Sequence, residues 1–223
     1  MSGLAAVGAL IPISVAAAIS TVPLLAMIAL LLSGKKRGSA LAYLLGWTVG
    51  LFIVAAGFSL GLSAASPSRS AVTVPLLGAA ETVIGVVLVA FGVVVIARKT
   101  KPATSPGWTD KLTGIGWVPA AALGVILNFR PKALLLAAAA GIAISAPQPT
   151  VGEGVIGLAI YTAISCSSVA VPVILTLARP ATMEPRLRQA RGWLQRNQRI
   201  ITGVVVIMVG VVIVGNGLTH MAG

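Results

Sequence analysis

The residues most suited to chemistry lie in one stretch, Leu127-Asn128-Phe129-Arg130-Pro131-Lys132, inside the apolar run from Trp117 to Ile144. A run of that length reads as a membrane-spanning helix, since about 20 apolar residues cross the hydrocarbon. Arg130 and Lys132 therefore fall near the middle of the bilayer, where a charge is costly. Pro131 removes a backbone donor and biases Arg130 away from helical geometry. The sequence thus predicts a broken helix whose second half begins at Pro131, proline being favoured at the first helical position. Such a half-helix aims its N-terminal dipole and free N–H groups at the midplane, beside two cations and Asn128. That combination suits an anion. A structural account stands beside it, in which both cations pair with an acid or stretch towards an interface. The functional account is preferred, because ionisable groups inside a membrane usually mark a pathway or a site.

Glu81 is the one acid well inside an apolar run, at a depth similar to Arg130 and Lys132. Pairing with either cation is the economical account of it. A carboxylate that alternates between ion pair and protonated form would also couple transport to protons. Hydroxyls gather at the centre of the fifth run, with Thr162, Ser165, Ser167 and Ser168 around Cys166, and Thr48 stands among glycines in the second. They either permit close helix packing or line a cavity. The candidate substrate-binding set is Arg130, Lys132, Asn128, Ser20, Thr21, Ser165, Ser168 and Thr48, with Glu81 as charge partner or proton carrier. No Ser/His/Asp set, paired carboxylates or phosphate-cradling motif is present, so catalysis is not expected. Cys166 is the single cysteine and His220 the single histidine, which leaves neither a redox pair nor a metal cluster. No cofactor is expected.

The elements that must position these residues follow from composition. Of 223 residues, 57% are hydrophobic and 9% charged, and the mean hydropathy is +1.03. A soluble surface needs more charge than that. Six apolar runs can be marked: 4–32, 39–62, 72–97, 117–144, 151–178 and 200–218. The first would measure about 43 Å as one helix. Pro12 and Pro23 lie within it, so a kink or break is expected, with Ser20 and Thr21 placed to cap a half-helix near Pro23. The N-terminus lacks a basic signal-peptide region, so this run is expected to be retained.

The net charge of +12 does not point to nucleic acid, because the basic residues sit in short loops. Lys35, Lys36 and Arg37 occupy the first loop. Arg98, Lys99, Lys101 and Lys111 face Asp110 in the third. Arg179, Arg186, Arg188, Arg191, Arg196 and Arg199 face Glu184 in the fifth. The second holds only Arg69 and the fourth is Pro-rich. The positive-inside rule then puts loops one, three and five in the cytoplasm and both termini outside. Within the fifth loop, Leu187, Ala190 and Leu194 recur at helical spacing beside Trp193. Residues 184–199 therefore read either as a short interfacial helix on anionic headgroups or as topology signals alone.

An internal repeat is also visible. Pro12 and Pro23 in run one match Pro119 and Pro131 in run four, and Gly85 and Gly92 in run three match Gly203 and Gly210 in run six. Three spans per half force opposite orientations, which gives inverted repeats with paired broken helices and a midplane site. The expected fold is an all-α membrane protein of six transmembrane helices, a three-plus-three inverted repeat with helices one and four broken. Residues 1–97 form the first repeat, 98–116 a basic cytoplasmic linker and 117–223 the second repeat, all in one integrated domain.

Two motifs carry a resemblance. Leu45-Gly46-Trp47-Thr48-Val49-Gly50 in the second span and Asn128-Phe129-Arg130-Pro131-Lys132-Ala133-Leu134-Leu135 in the fourth resemble the lysine-exporter superfamily, and within it the glycopeptidolipid-addressing and sulfolipid-addressing branch. That branch has an Asn-Pro-Lys-x-Leu-Leu pattern, into which this chain sets Phe129-Arg130 before the proline. The resemblance covers nearly the whole chain. It implies a part in moving polar cell-envelope lipids across the plasma (inner) membrane, with membrane lipids as partners and a homodimer or larger lipid-export machinery as the assembly. Two classes stay open: a secondary transporter or flippase for an anionic or sugar-bearing lipid, and an accessory scaffold of a larger exporter. Export of a small amino acid or cation fits less well, because two cations guard the site.

Overall fold

A computed structural model of the chain describes residues 3–33, 37–65, 73–98, 112, 114–145 and 150–222. Lys35, Lys36, Arg69, Lys99, Lys101, Asp110 and Lys111, on which much of the loop-charge argument rests, lie outside the described residues. The described chain is helical: α1 (Gly3–Ala18), α2 (Thr21–Leu32), α3 (Arg37–Ala65), α4 (Thr73–Ala97), α5 (Trp117–Ile126), a 3-10 turn (Leu127–Phe129), α6 (Pro131–Ser145), α7 (Val151–Ala178) and α8 (Pro180–Ala222). Helices α3, α4, α7 and α8 are each long and apolar enough to cross a membrane. The bent pairs α1–α2 and α5–α6 bring the number of spans to as many as six.

Both pairs break where the backbone turns extended. Arg130 has φ −76° and ψ 148°, the conformation a following proline imposes, and the chain bends by 68° there. The first pair bends by 43°, with Ser20 extended at φ −91° and ψ 110°. That break is not at Pro23. The new helix begins at Thr21, and Pro23 is its third residue, where the N–H has no intrahelical acceptor to lose. Pro12 lies inside α1 without ending it.

The expectation of a separate short helix at 184–199 is also corrected. These residues belong to α8, which runs unbroken for 43 residues, or about 65 Å. Arg179 before Pro180 ends α7 in extended geometry, φ −141° and ψ 72°, and no proline interrupts α8 beyond Pro185. A membrane core of about 30 Å takes up only part of this helix.

Glycines decide which helices touch. Gly78, Gly85 and Gly92 recur every seven residues on α4, and Gly217, Gly210 and Gly203 answer them in reverse order on α8. A Cβ at Gly85 would lie 2.7 Å from the Gly210 carbonyl oxygen, and one at Gly92 would lie 2.9 Å from that of Gly203. The two helices therefore pack antiparallel, backbone against backbone, as small residues allow in membranes. Helices α5 and α6 run along α3: Gly46 lies against the Ala121 backbone, Gly50 against Val125 and Asn128, and Gly141 against Phe58. The first broken span packs on α7, where Ser165 Oγ donates to the Ser14 carbonyl at 3.3 Å. Tyr43, Trp47 and Tyr161 are the largest side chains of the buried centre.

Candidate functional site

The second break is built in three steps. The last turn of α5 tightens into the 3-10 turn, a common end for a helix. Asn128 then locks it: its Nδ2 donates to the Gly124 carbonyl at 2.9 Å and to the Trp47 carbonyl of α3 at 3.3 Å. Gly50 makes room for this amide, since a Cβ there would lie 2.5 Å from Asn128 Nδ2. Helix α6 then starts at Pro131, with the Leu134 N–H returning to the Arg130 carbonyl at 2.9 Å. The N–H groups of Lys132 and Ala133 precede that bond and have no intrahelical acceptor.

The first break is held by the same helix. One turn before Trp47, Tyr43 Oη donates to the Pro23 carbonyl at 3.1 Å. Thr21 Oγ1 lies 3.4 Å from Thr202 Oγ1 of α8, while Ser20 makes no side-chain cap bond. Helix α3 thus grips both breaks from neighbouring turns of one face.

Between the breaks lies a cavity of about 20 Å³, lined by Ser20, Trp47, Leu51, Lys132, Ala133 and Tyr161 among others. It has room for one water-sized group. Two donors of the lining residues have no acceptor: Lys132 Nζ and Trp47 Nε1 are both buried without a hydrogen-bond partner. Trp47 is 2% exposed. An unpaired buried ammonium is strongly unfavourable, and an unpaired indole N–H adds to the cost. Both are relieved by one kind of guest, an oxygen that accepts hydrogen bonds, best if negatively charged. The N-terminus of α6 adds its dipole in the same sense.

The sequence-derived candidates divide accordingly. Ser20 and Lys132 meet at the cavity. Asn128, buried beside it, is spent on holding the break, although its Oδ1 has no partner. Thr21 faces α8. Thr48 Oγ1 bonds the Leu44 carbonyl at 2.9 Å and lies 3.0 Å from Cys166 Sγ, joining α3 to α7. Ser165 joins α7 to α1, and Ser168 is half-buried outside the cavity lining. Arg130 is exposed and does not line the cavity. Glu81 is buried on α4, the helix that packs along α8, and does not line it either. Among the described residues no cluster of His, Cys, Asp and Glu is arranged for a metal. Sequence reasoning missed Trp47 and Tyr161 as cavity residues. Run two carries no signal for Trp47, because Gly46 and Gly50 face α5 while Trp47 lines the cavity with residues of α1, α6 and α7.

Over residues 10–219 the chain matches the family described as Sap, sulfolipid-1-addressing protein. The chain belongs to this family. No curated protein and no solved structure matches it.

Proposed function

We propose, taking that membership as the premise, that the protein is a secondary transporter or flippase. Its cargo is a polar cell-envelope lipid, anionic or glycosylated. One observation carries the reading: Lys132 and Trp47, which line a cavity between two helix breaks, each hold a buried donor without an acceptor, Nζ and Nε1. Ser20 and the free N–H groups at the start of α6 complete the binding wall. Arg130 and Asn128 flank it, and Thr21, Thr48, Ser165 and Ser168 surround it. Glu81 acts elsewhere in the cycle as buried countercharge or proton carrier. The cavity admits one oxygen of an acid group and no headgroup, so this conformation is a closed one and transport requires it to widen.

The architecture that goes with this function is the three-plus-three inverted repeat, with halves at 1–97 and 117–223 joined by the basic segment 98–116, and kinship to the lysine exporters. It is supported by the packing: the first broken span lies on α7 as the second lies on α3, and α4 and α8 pair through matched glycines. The chain sits in the plasma membrane with both termini outside. Residues 184–199 meet anionic headgroups on the inner leaflet, and the protein works as a homodimer or within a larger lipid-export machinery. The test is flipping of a fluorescent acidic lipid in proteoliposomes of the purified protein. Movement that is lost in Lys132→Gln supports the reading, and no movement by the parent protein overturns it. An accessory scaffold is the second reading, favoured by α8, which extends well beyond a span and exposes Arg186, Arg188 and Arg196 to a partner.

A further inference from the structure

The two breaks differ in how they are covered. The first is enclosed, with Thr21 buried and its hydroxyl against Thr202 of α8. The second is open on one side. Among the described residues, helix α5 packs on α3, while α4 lies along α8 and leaves the other flank of α5 uncovered. Ile126 is 62% exposed there and Phe129 57%, and Arg130 and Pro131 are exposed with them. This flank is at mid-depth, because Asn128 bonds to Trp47 near the middle of α3 and Arg130 divides the bent pair into halves of similar length. No described carboxylate forms an ion pair with Arg130. Arg130 is therefore an exposed cation at the depth where an unpartnered charge is most costly. Two residues on, across the extended turn, the second cation points inward to the cavity.

We infer that the second break is a side opening to the bilayer, with Arg130 as its outer station and Lys132 with Trp47 as its inner one. This rests on the transport reading above and narrows its substrate to an amphiphile carrying one acidic group. The acid reaches Arg130 from within the membrane while the acyl chains stay in lipid against Ile126 and Phe129. It then passes the break to the two donors inside. A water-soluble anion has no reason to meet Arg130 first, because aqueous access does not run through the lipid-facing flank. The unpartnered indole and ammonium inside and the exposed guanidinium outside are independent observations, and one guest satisfies both.

The experiment places photoreactive benzoylphenylalanine in place of Phe129. A control carries it in place of Val86, which is 53% exposed at mid-length on α4. The full chain is put in nanodiscs of phosphatidylcholine with a minor fraction of phosphatidylglycerol, and crosslinked lipid is identified by mass spectrometry. Phosphatidylglycerol is expected to be enriched over its bulk fraction at position 129, on the order of fivefold for one cation's attraction, and not at 86. Arg130→Gln removes the enrichment and Arg130→Lys keeps it. Equal ratios at 129 and 86 in the otherwise unchanged protein overturn the inference, whether or not Arg130→Gln folds. Competition by sodium sulfate beyond that of sodium chloride at equal ionic strength also overturns it, because the site would then face water. Lys132→Gln separates the two claims: it is expected to stop flipping while enrichment at 129 persists. Flipping by the parent protein without enrichment refutes the side opening alone, and enrichment without flipping refutes the transport reading alone.

Discussion

Replacing Lys132 with methionine separates the cost of the site from its use. The ammonium is buried with no hydrogen-bond partner, and methionine keeps a similar volume without the charge. Exchanging buried ionic groups for apolar side chains of similar volume is often stabilising, by about 1–4 kcal/mol. The lower half of that range applies here, because a single charge is exchanged where the range describes buried pairs and triads. Taking about 2 kcal/mol, and roughly 2–4 °C per kcal/mol for a chain of this size, the apparent Tm in detergent should rise by about 4–8 °C. Flipping of an acidic lipid should fall to background in the same variant, since donor and charge disappear together. The two readouts must move in opposite directions. A Lys132→Met protein that melts below its parent would mean that the ammonium has a stabilising partner. One that flips acidic lipid at the parental rate would mean that the cavity is not the site.

Three further outcomes test the parts around it. Trp47→Phe removes the second donor and keeps most of the ring, so acidic-lipid flipping should drop several-fold in proteoliposomes while Tm changes by no more than a few degrees; an unchanged rate would remove the indole from the site. Gly50→Ala puts a methyl 2.5 Å from Asn128 Nδ2 and should force the second break off α3, seen as loss of monodisperse protein in detergent; normal yield and activity would contradict the packing. For orientation, cysteines at Ser66 and Ser105, both outside the described residues, in a Cys166→Ser background should differ towards an impermeant thiol reagent. Ser66→Cys is expected to label in intact cells and Ser105→Cys is not, and the reverse pattern would invert the topology.

The apolar runs and their breaks were legible because hydropathy and proline act locally. Pro131 dictates the extended Arg130 before it, so that break could be placed to the residue. Pro23 could not place its own break, because a proline is tolerated throughout the first turn and the helix starts two residues earlier, at Thr21. The glycines matched between runs three and six were legible as a pattern, but their use as one antiparallel seam depends on which helices meet, and that is a tertiary fact. The junction inside α8 misled because composition changes sharply near Arg199, although neither proline nor capping geometry marks a stop there. The direction of each cation was not legible at all. Arg130 and Lys132 straddle an irregular turn, where neither helical nor strand periodicity assigns a face.

The arrangement of α3 explains why so small a cavity sits among such large side chains. Tyr43 holds the first break through the Pro23 carbonyl, and the Trp47 carbonyl holds the second through Asn128. Both bonds come from successive turns of one helix, so α3 ties the two breaks to each other. Trp47 lines the cavity between them with Lys132, and its N–H stays without an acceptor. If either bond opens, the break it holds is free to move away from α3, and the volume available beside Lys132 grows. Loss of the Asn128 bond is the direct measure of this. Asn128→Ala should destabilise the protein by about 2–3 kcal/mol, from two lost hydrogen bonds and a small void. It should also raise the reactivity of a cysteine placed at Ala133 in a Cys166→Ser background towards small membrane-permeant thiol reagents, since Ala133 lines the cavity. Unchanged reactivity at position 133 would show that the Asn128 bond does not control the cavity.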